Sequence, residues 1–222
     1  MTEPLACIER GADDATQCII LLHGLGADGH DFEPIVNELK LNKSTRFIFP
    51  HAPSISISIN NGMVMPAWYD IKTTQIDIQQ DEDGLRHSEK AVITLIEQEL
   101  KRGIKSENII VAGFSQGGAV ALHTALRYSK PLAGVMGLST YLPLAEKVAS
   151  EMSDANKNTP IFLAHGIHDP IIPLQLAIDS SVHLENLHYS AELKKYKMEH
   201  SVCQEEIDAM SDWINRVFNR GC

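Results

Sequence analysis

A chain of 222 residues, 44% hydrophobic and 22% charged, can bury a sizeable core and has the balance of an ordinary water-soluble globular protein. Its formal net charge of −10 argues against nucleic acid and anionic membrane surfaces as major partners. No apolar run approaches the roughly 20 residues that cross a bilayer, so at most transient membrane contact is expected.

Apolar runs and helical patterns alternate along the chain, the signature of parallel βαβ units and an α/β architecture. Cys18 to His23 reads as a fully buried strand. Phe32, Ile35, Val36 and Leu39 mark one face of a short helix, and Arg46 to Pro50 is the next strand. Ile55 to Ile59 then alternates with period two and runs into Asn60-Asn61-Gly62, a strong hairpin-turn signal completed by Met63 to Ile71. Such an insertion either walls a cleft or is a surface excursion with packing value alone. From Glu82 to Lys101, Leu85, Val92, Ile93, Ile96 and Leu100 form a helical stripe. Leu132 to Leu138 and Ile161 to Ala164 are further strands, Leu174 to Leu187 a helix, Ala191 to Met198 a late strand and Cys203 to Phe218 a closing helix. No repeat, low-complexity tract or linker interrupts this rhythm, which predicts a single domain over residues 1–222.

The chemistry-bearing stretch lies between residues 109 and 122. Ile109 to Ala112 leads into Gly113-Phe114-Ser115-Gln116-Gly117 and leaves as the helix-forming Gly118-Ala119-Val120-Ala121-Leu122. A Gly-x-Ser-x-Gly match alone is weak, but a strand before it and a helix after it describe an elbow that presents a hydroxyl at its apex. The glycines leave room for a positive φ angle and for close helix–strand packing. The plainer alternative is a glycine-rich turn with a solvent-facing serine.

A serine hydroxyl needs a hydrogen-bonded imidazole to become a nucleophile at neutral pH. In folds with this elbow the acid and then the histidine follow the serine. His123 lies two turns along the elbow helix, and His183 and His188 fall in an amphipathic helical region. His200, in Lys197-Met198-Glu199-His200-Ser201, follows a strand and precedes the last helix, the position where ligand chemistry collects in open α/β sheets. The acid is expected at another strand end, and Asp169 in His165-Gly166-Ile167-His168-Asp169-Pro170 fits, to orient the imidazole and stabilise its charged form. Asp169-Pro170 can also be read as a plain turn, or His165, His168 and Asp169 as metal ligands, although their spacing is not that of a helical histidine pair. Two oxyanion donors are needed: the Gln116 N–H at the start of the elbow helix and, from the His23-Gly24-Leu25-Gly26 loop, the Leu25 N–H. That loop matches GxGxxG through Gly29, but Gly29-His30-Asp31 leads into an acidic helix start, and no ribose-binding acid stands out after the second strand.

Cys7, Cys18, Cys203 and Cys222 have no CxxC or zinc spacing, and Met1 to Cys7 lacks the basic and apolar regions of a secretory leader. Reduced thiols in a cytoplasmic protein are the expectation. Cys222, with no residues after it in this sequence, is not expected to be a prenylation site of the CaaX type.

Five motifs, His23-Gly24-Leu25-Gly26, Met65-Pro66-Ala67-Trp68-Tyr69-Asp70, Gly113-Phe114-Ser115-Gln116-Gly117-Gly118, His165-Gly166-x-x-Asp169-Pro170 and Glu199-His200-Ser201, occur in one order over essentially the full length. In this the chain resembles the phospholipase/carboxylesterase family that includes acyl-protein thioesterases and lysophospholipases. The resemblance implies an α/β-hydrolase fold without a large cap, a Ser115, Asp169 and His200 triad, and Leu25 and Gln116 as oxyanion donors. It implies no metal or organic cofactor, and small acyl ester or thioester substrates, lipids or acylated proteins among them. The acyl-binding region would correspond to the hairpin through Met65 and Trp68 and to the loop carrying Ile171 and Ile172. Relatives commonly form homodimers. Many carry an acidic residue after the His-Gly pair, where this chain has Ile167-His168, so a less acidic cleft rim is expected.

Overall fold

The structure is a computed structural model that describes residues 5–220. The readings of Met1 to Pro4 and of Cys222 fall outside those residues. Nine strands form in chain order: β1 (Cys7–Arg10), β2 (Gln17–Leu22), β3 (Thr45–Pro50), β4 (Ser54–Ile57), β5 (Met63–Pro66), β6 (Ile109–Phe114), β7 (Gly134–Leu138), β8 (Ile161–Gly166) and β9 (Ala191–Tyr196). Seven of them make one sheet in the order β1-β3-β2-β6-β7-β8-β9, and β4 with β5 makes a separate hairpin. Within the large sheet β1 is antiparallel to β3 and every other pair is parallel. Five helices accompany it: α1 (Glu82–Lys101), α2 (Gln116–Arg127), α3 (Ala145–Glu151), α4 (Leu174–Asn186) and α5 (Gln204–Phe218).

Successive strand side chains point to opposite faces, and both faces are covered. Cys18, Ile20 and Leu22 of β2 join a cluster with Leu85, Val92 and Ile96 of α1 and Leu122 and Leu126 of α2. Ile19 and Leu21 join Phe47, Phe49, Phe162 and, from α5, Met210, Trp213 and Val217 on the other face. Burial on both sides explains why β2 and β6 read as unbroken apolar runs rather than alternating ones. The order reverses at β2, with β3 on one side and β6 on the other, so the crevice at their C-terminal ends is the place where a ligand fits.

Two sequence expectations are corrected in form. The short helix around Phe32 to Leu39 is a 3-10 turn, Glu33–Asn37, opening on Pro34. Beyond it the backbone is stitched to α5 instead of continuing as a helix: the Lys40 and Asn42 amides donate to Ser211 Oγ (3.1 Å) and Asn215 Oδ1 (2.9 Å). The hairpin pairs Ser54 with Pro66 and Ile57 with Met63, but Ser58–Asn60 forms a 3-10 turn closed by Asn61 (φ 55°) and Gly62 (φ 78°), so β4 ends two residues early. Among the described residues Cys7, Cys18 and Cys203 are free thiols, and burial pushes Cys7 up to about 11 and Cys18 well above the ordinary range. No helix among them is long and apolar enough to cross a membrane.

Candidate active site

β6 ends at Phe114 and α2 begins at Gln116, which leaves Ser115 alone at the turn with φ 53° and ψ −120°. A non-glycine residue in this region costs roughly 1–3 kcal/mol and persists only where its surroundings hold it. Here the Ser115 amide donates to the Leu138 carbonyl (2.8 Å), and its carbonyl accepts from the Ala119 amide (3.1 Å) and Thr140 Oγ1 (2.7 Å). The positive φ belongs to the serine itself and not to the flanking glycines. Those answer to close approach: a Cβ on Gly117 would collide with the Leu22 and His23 carbonyl oxygens, and one on Gly113 with the Gly117 backbone.

The carboxylate and imidazole come from the ends of β8 and β9. His200 Nδ1 lies 2.7 Å from Asp169 Oδ2, while Asp169 Oδ1 accepts from the Ile171 (2.8 Å) and Ile172 (2.9 Å) amides. The Asp169 side chain is fully buried, and its two oxygens are thereby divided between backbone and ring. A ring nitrogen facing a carboxylate carries the proton, so Nε2 of His200 keeps its lone pair. Gly166 makes this meeting possible, because any Cβ there would strike the Met198 and Glu199 carbonyl oxygens. The Ile167 and His168 amides then donate to Tyr196 (2.8 Å) and Met198 (3.1 Å) and pin the two loops together. The His200 ring packs on Phe114, the residue before Ser115, with centroids 4.8 Å apart.

The loop after β2 lies against the elbow: a Cβ built on Gly24 would be 3.5 Å from that of Ser115. Leu25 and Gly26 (φ 76°) are the central residues of a turn closed by the Ala27 amide on the Gly24 carbonyl (3.3 Å). The amide of a turn's first central residue takes no part in the turn bond, so Leu25 N–H is left for a ligand. The Gln116 N–H, first of α2, has no intrahelical acceptor, and the helix dipole favours negative charge there.

Sequence reasoning missed what holds this loop. His23 is buried, its Nε2 accepting from the Ala52 amide (3.1 Å), so its proton sits on Nδ1, which donates to the Gly24 carbonyl (2.7 Å). Burial lowers its pKa and keeps the ring neutral. Trp68 Nε1 donates to the His23 carbonyl (2.8 Å), and the Gln116 carboxamide grips the hairpin's exit from both sides, accepting from the Trp68 amide (2.9 Å) and donating to the Tyr69 carbonyl (2.6 Å). A glutamine inside an elbow and a tryptophan after a hairpin were the only signals, and neither reveals its partner. His165 is fully buried and bonded to the Ile172 carbonyl (2.8 Å), burial lowering its pKa; it supports the Asp169 loop, and His168 is exposed. His123 is enclosed beside Glu89 (3.3 Å), away from the elbow's apex.

A family model described as phospholipase/carboxylesterase matches residues 3–218. The chain belongs to that family. It is 38% identical over 216 residues to acyl-protein thioesterase 1 of Gibberella zeae, covering 92% of each chain, and 44% identical over 171 residues to that of Schizosaccharomyces pombe, covering 77% and 76%. Among solved structures it resembles Arabidopsis thaliana SOBER1 (TM-score 0.87, 32% identity, 90% and 98% covered) and Zea mays acyl-protein thioesterase 2 (TM-score 0.87, 27% identity, 96% and 99% covered). The fold is that of the α/β-hydrolases.

Two recesses flank the elbow of this family member. A small cavity of about 70 Å³ contains Ser115 and Gln116 and is lined by Leu25, Tyr69, Ile171 and Ile172. Tyr141 closes its far wall, 3.1 Å from the Tyr69 hydroxyl. Of the residues expected to bind substrate, Ile171 and Ile172 stand in this wall. Trp68 does not; it is buried with its indole nitrogen on His23, because a buried N–H must find an acceptor. Met65 sits at the hairpin base, its sulfur 3.8 Å from where a Gly26 side chain would begin. On the other side, His200 and Phe114 border an open cleft of about 600 Å³.

Proposed function

We propose that Ser115, His200 and Asp169 form a catalytic triad hydrolysing esters and thioesters of aliphatic acyl chains, with the Leu25 and Gln116 amides as the oxyanion hole. The observation that carries this reading is the buried Asp169 carboxylate paired with the part-buried His200 imidazole, packed through Phe114 onto an elbow whose apex is a serine. Ser115 Oγ attacks the acyl carbonyl while His200 Nε2 takes its proton, and the two amides receive the charge on the tetrahedral oxygen. His200 returns the proton to the leaving thiol or alcohol as the carbon–sulfur or carbon–oxygen bond breaks. Water, activated by the same ring, then frees the acid and regenerates the serine.

The start of the acyl chain fits the apolar recess between Tyr69 and Ile172, and its remainder lies over exposed Ile171 and the Met65 end of the hairpin. Each methylene buried there adds about 0.8 kcal/mol of binding. The curated relatives named as acyl-protein thioesterases favour S-acylated proteins as the natural substrates, with lysolipids as a further class. The exposed hairpin residues Met63 and Val64 supply apolar surface for transient lipid contact or for a homodimer. The test is a matched set of ester, thioester and amide substrates of graded acyl length. Turnover of esters and thioesters, covalent labelling by a fluorophosphonate, and loss of both in Ser115→Ala are expected. Unlabelled enzyme without turnover would instead mark a non-catalytic acyl-binding module, and equal amide turnover a peptidase or amidase.

A further inference from the structure

The open cleft lined by His200 and Phe114 is unassigned by the triad reading, and its composition is specific. We infer that it is the leaving-group subsite and that it selects S-acylated peptides carrying lysine or arginine next to the acylated cysteine. This rests on His200 being the general acid: the group that protonates a leaving atom must lie within hydrogen-bond reach of it, so the departing half of the substrate occupies the side His200 faces. Ser115 opens into the small apolar recess, whereas His200 lines the large cleft, so the two halves of the substrate part at the elbow.

Three rings floor the cleft in series. Phe32 packs on Phe114 with centroids 5.3 Å apart, and Phe114 on His200 at 4.8 Å. Ile35 and Ile207 add aliphatic wall, which suits the methylene stem of a long basic side chain. At the rim stand Asp31 and Glu38, both exposed and neither in an ion pair with a described residue. Aromatic faces combined with exposed carboxylates form a cation site. No lysine or arginine lines the cleft; Lys40 is bonded to Asp208 (2.7 Å), with Glu38 a weaker electrostatic neighbour, and Arg10 is bonded to Glu33. A phosphate-bearing headgroup would therefore meet two carboxylates and no lysine or arginine in the lining, which favours a basic peptide over a phospholipid. The Gln204 side chain, also in the lining and bonded to Asp208, leaves its carboxamide oxygen for a peptide N–H.

The experiment compares two S-acyl-cysteinyl peptides with the same acyl chain, one flanked by lysines and one by glutamates, alongside the S-acyl thioester of N-acetylcysteamine and a lysophosphatidylcholine of equal acyl length. The expected result is a Lys-to-Glu ratio in kcat/KM of about tenfold at low ionic strength, shrinking with added salt. In Asp31→Asn/Glu38→Gln, and partly in each single variant, the ratio falls toward one. Equal turnover of both peptides, a ratio unchanged in the double variant, or faster hydrolysis of the lysophospholipid than of the lysine peptide would overturn the inference. Failure to hydrolyse the neutral N-acetylcysteamine thioester would instead sink the hydrolase reading, so the two failures are told apart.

Discussion

Ser115 is held at φ 53° by three backbone-directed hydrogen bonds, none of which uses its hydroxyl. Ser115→Ala therefore keeps the fold while removing the nucleophile. A fall in kcat of about 10⁴-fold or more is expected, with little change in melting temperature, checked by steady-state kinetics beside calorimetry. Trp68 makes a different kind of contribution, since its indole N–H satisfies the buried His23 carbonyl one residue before the oxyanion loop. Trp68→Phe leaves that oxygen without its donor at a cost of about 1–3 kcal/mol. Because the Leu25 amide shifts with the loop, the loss should appear in kcat more than in KM. Equal kcat for the variant and the parent would show that the indole bond does not position the loop.

Some elements can meet at this site only because a side chain is missing. β8 and the loop after β9 touch at Gly166, whose place no larger residue can take without pushing away the Met198 and Glu199 carbonyls. Gly166→Ala is expected to destabilise by about 1–3 kcal/mol, read as a lower urea midpoint. It should also separate His200 from Asp169, and a misplacement near 1 Å costs on the order of 10²-fold in rate. Loss of stability with full activity per folded molecule would refute that coupling. The strand–helix alternation was legible in the sequence because each buried element carries its own period. The antiparallel edge strand β1 and the seven-residue α3 were not, being too short to show one. The hairpin announced itself through Asn60-Asn61-Gly62, yet its attachment by Gln116 could not be read, since that bond joins residues 48 positions apart.

At the scale of the molecule, one lever for pH is Glu206 in the first turn of α5, four residues after the loop that carries His200 to Val202. Its side chain is fully buried, and burial raises its pKa from 4.5 to about 8. Folded protein therefore binds this proton across a range where the unfolded chain has released it, so the contribution of Glu206 to stability falls as pH rises from about 4.5 to about 8 and levels off above. Each pKa unit is worth about 1.4 kcal/mol, which bounds the effect at a few kcal/mol. Glu206→Gln should flatten this slope and gain most over the parent at pH 9, as measured by urea unfolding at pH 5, 7 and 9; parallel profiles would refute it. Local order along the chain determined the strands, the elbow and the succession of serine, acid and histidine, because periodicity and turn chemistry are properties of neighbouring residues. Which carbonyl Trp68 reaches, where Gln116 grips and which ring packs on His200 were decided by the sheet and the helices packed on it, which bring together segments up to 175 residues apart, and separation along the chain carries no record of distance in space.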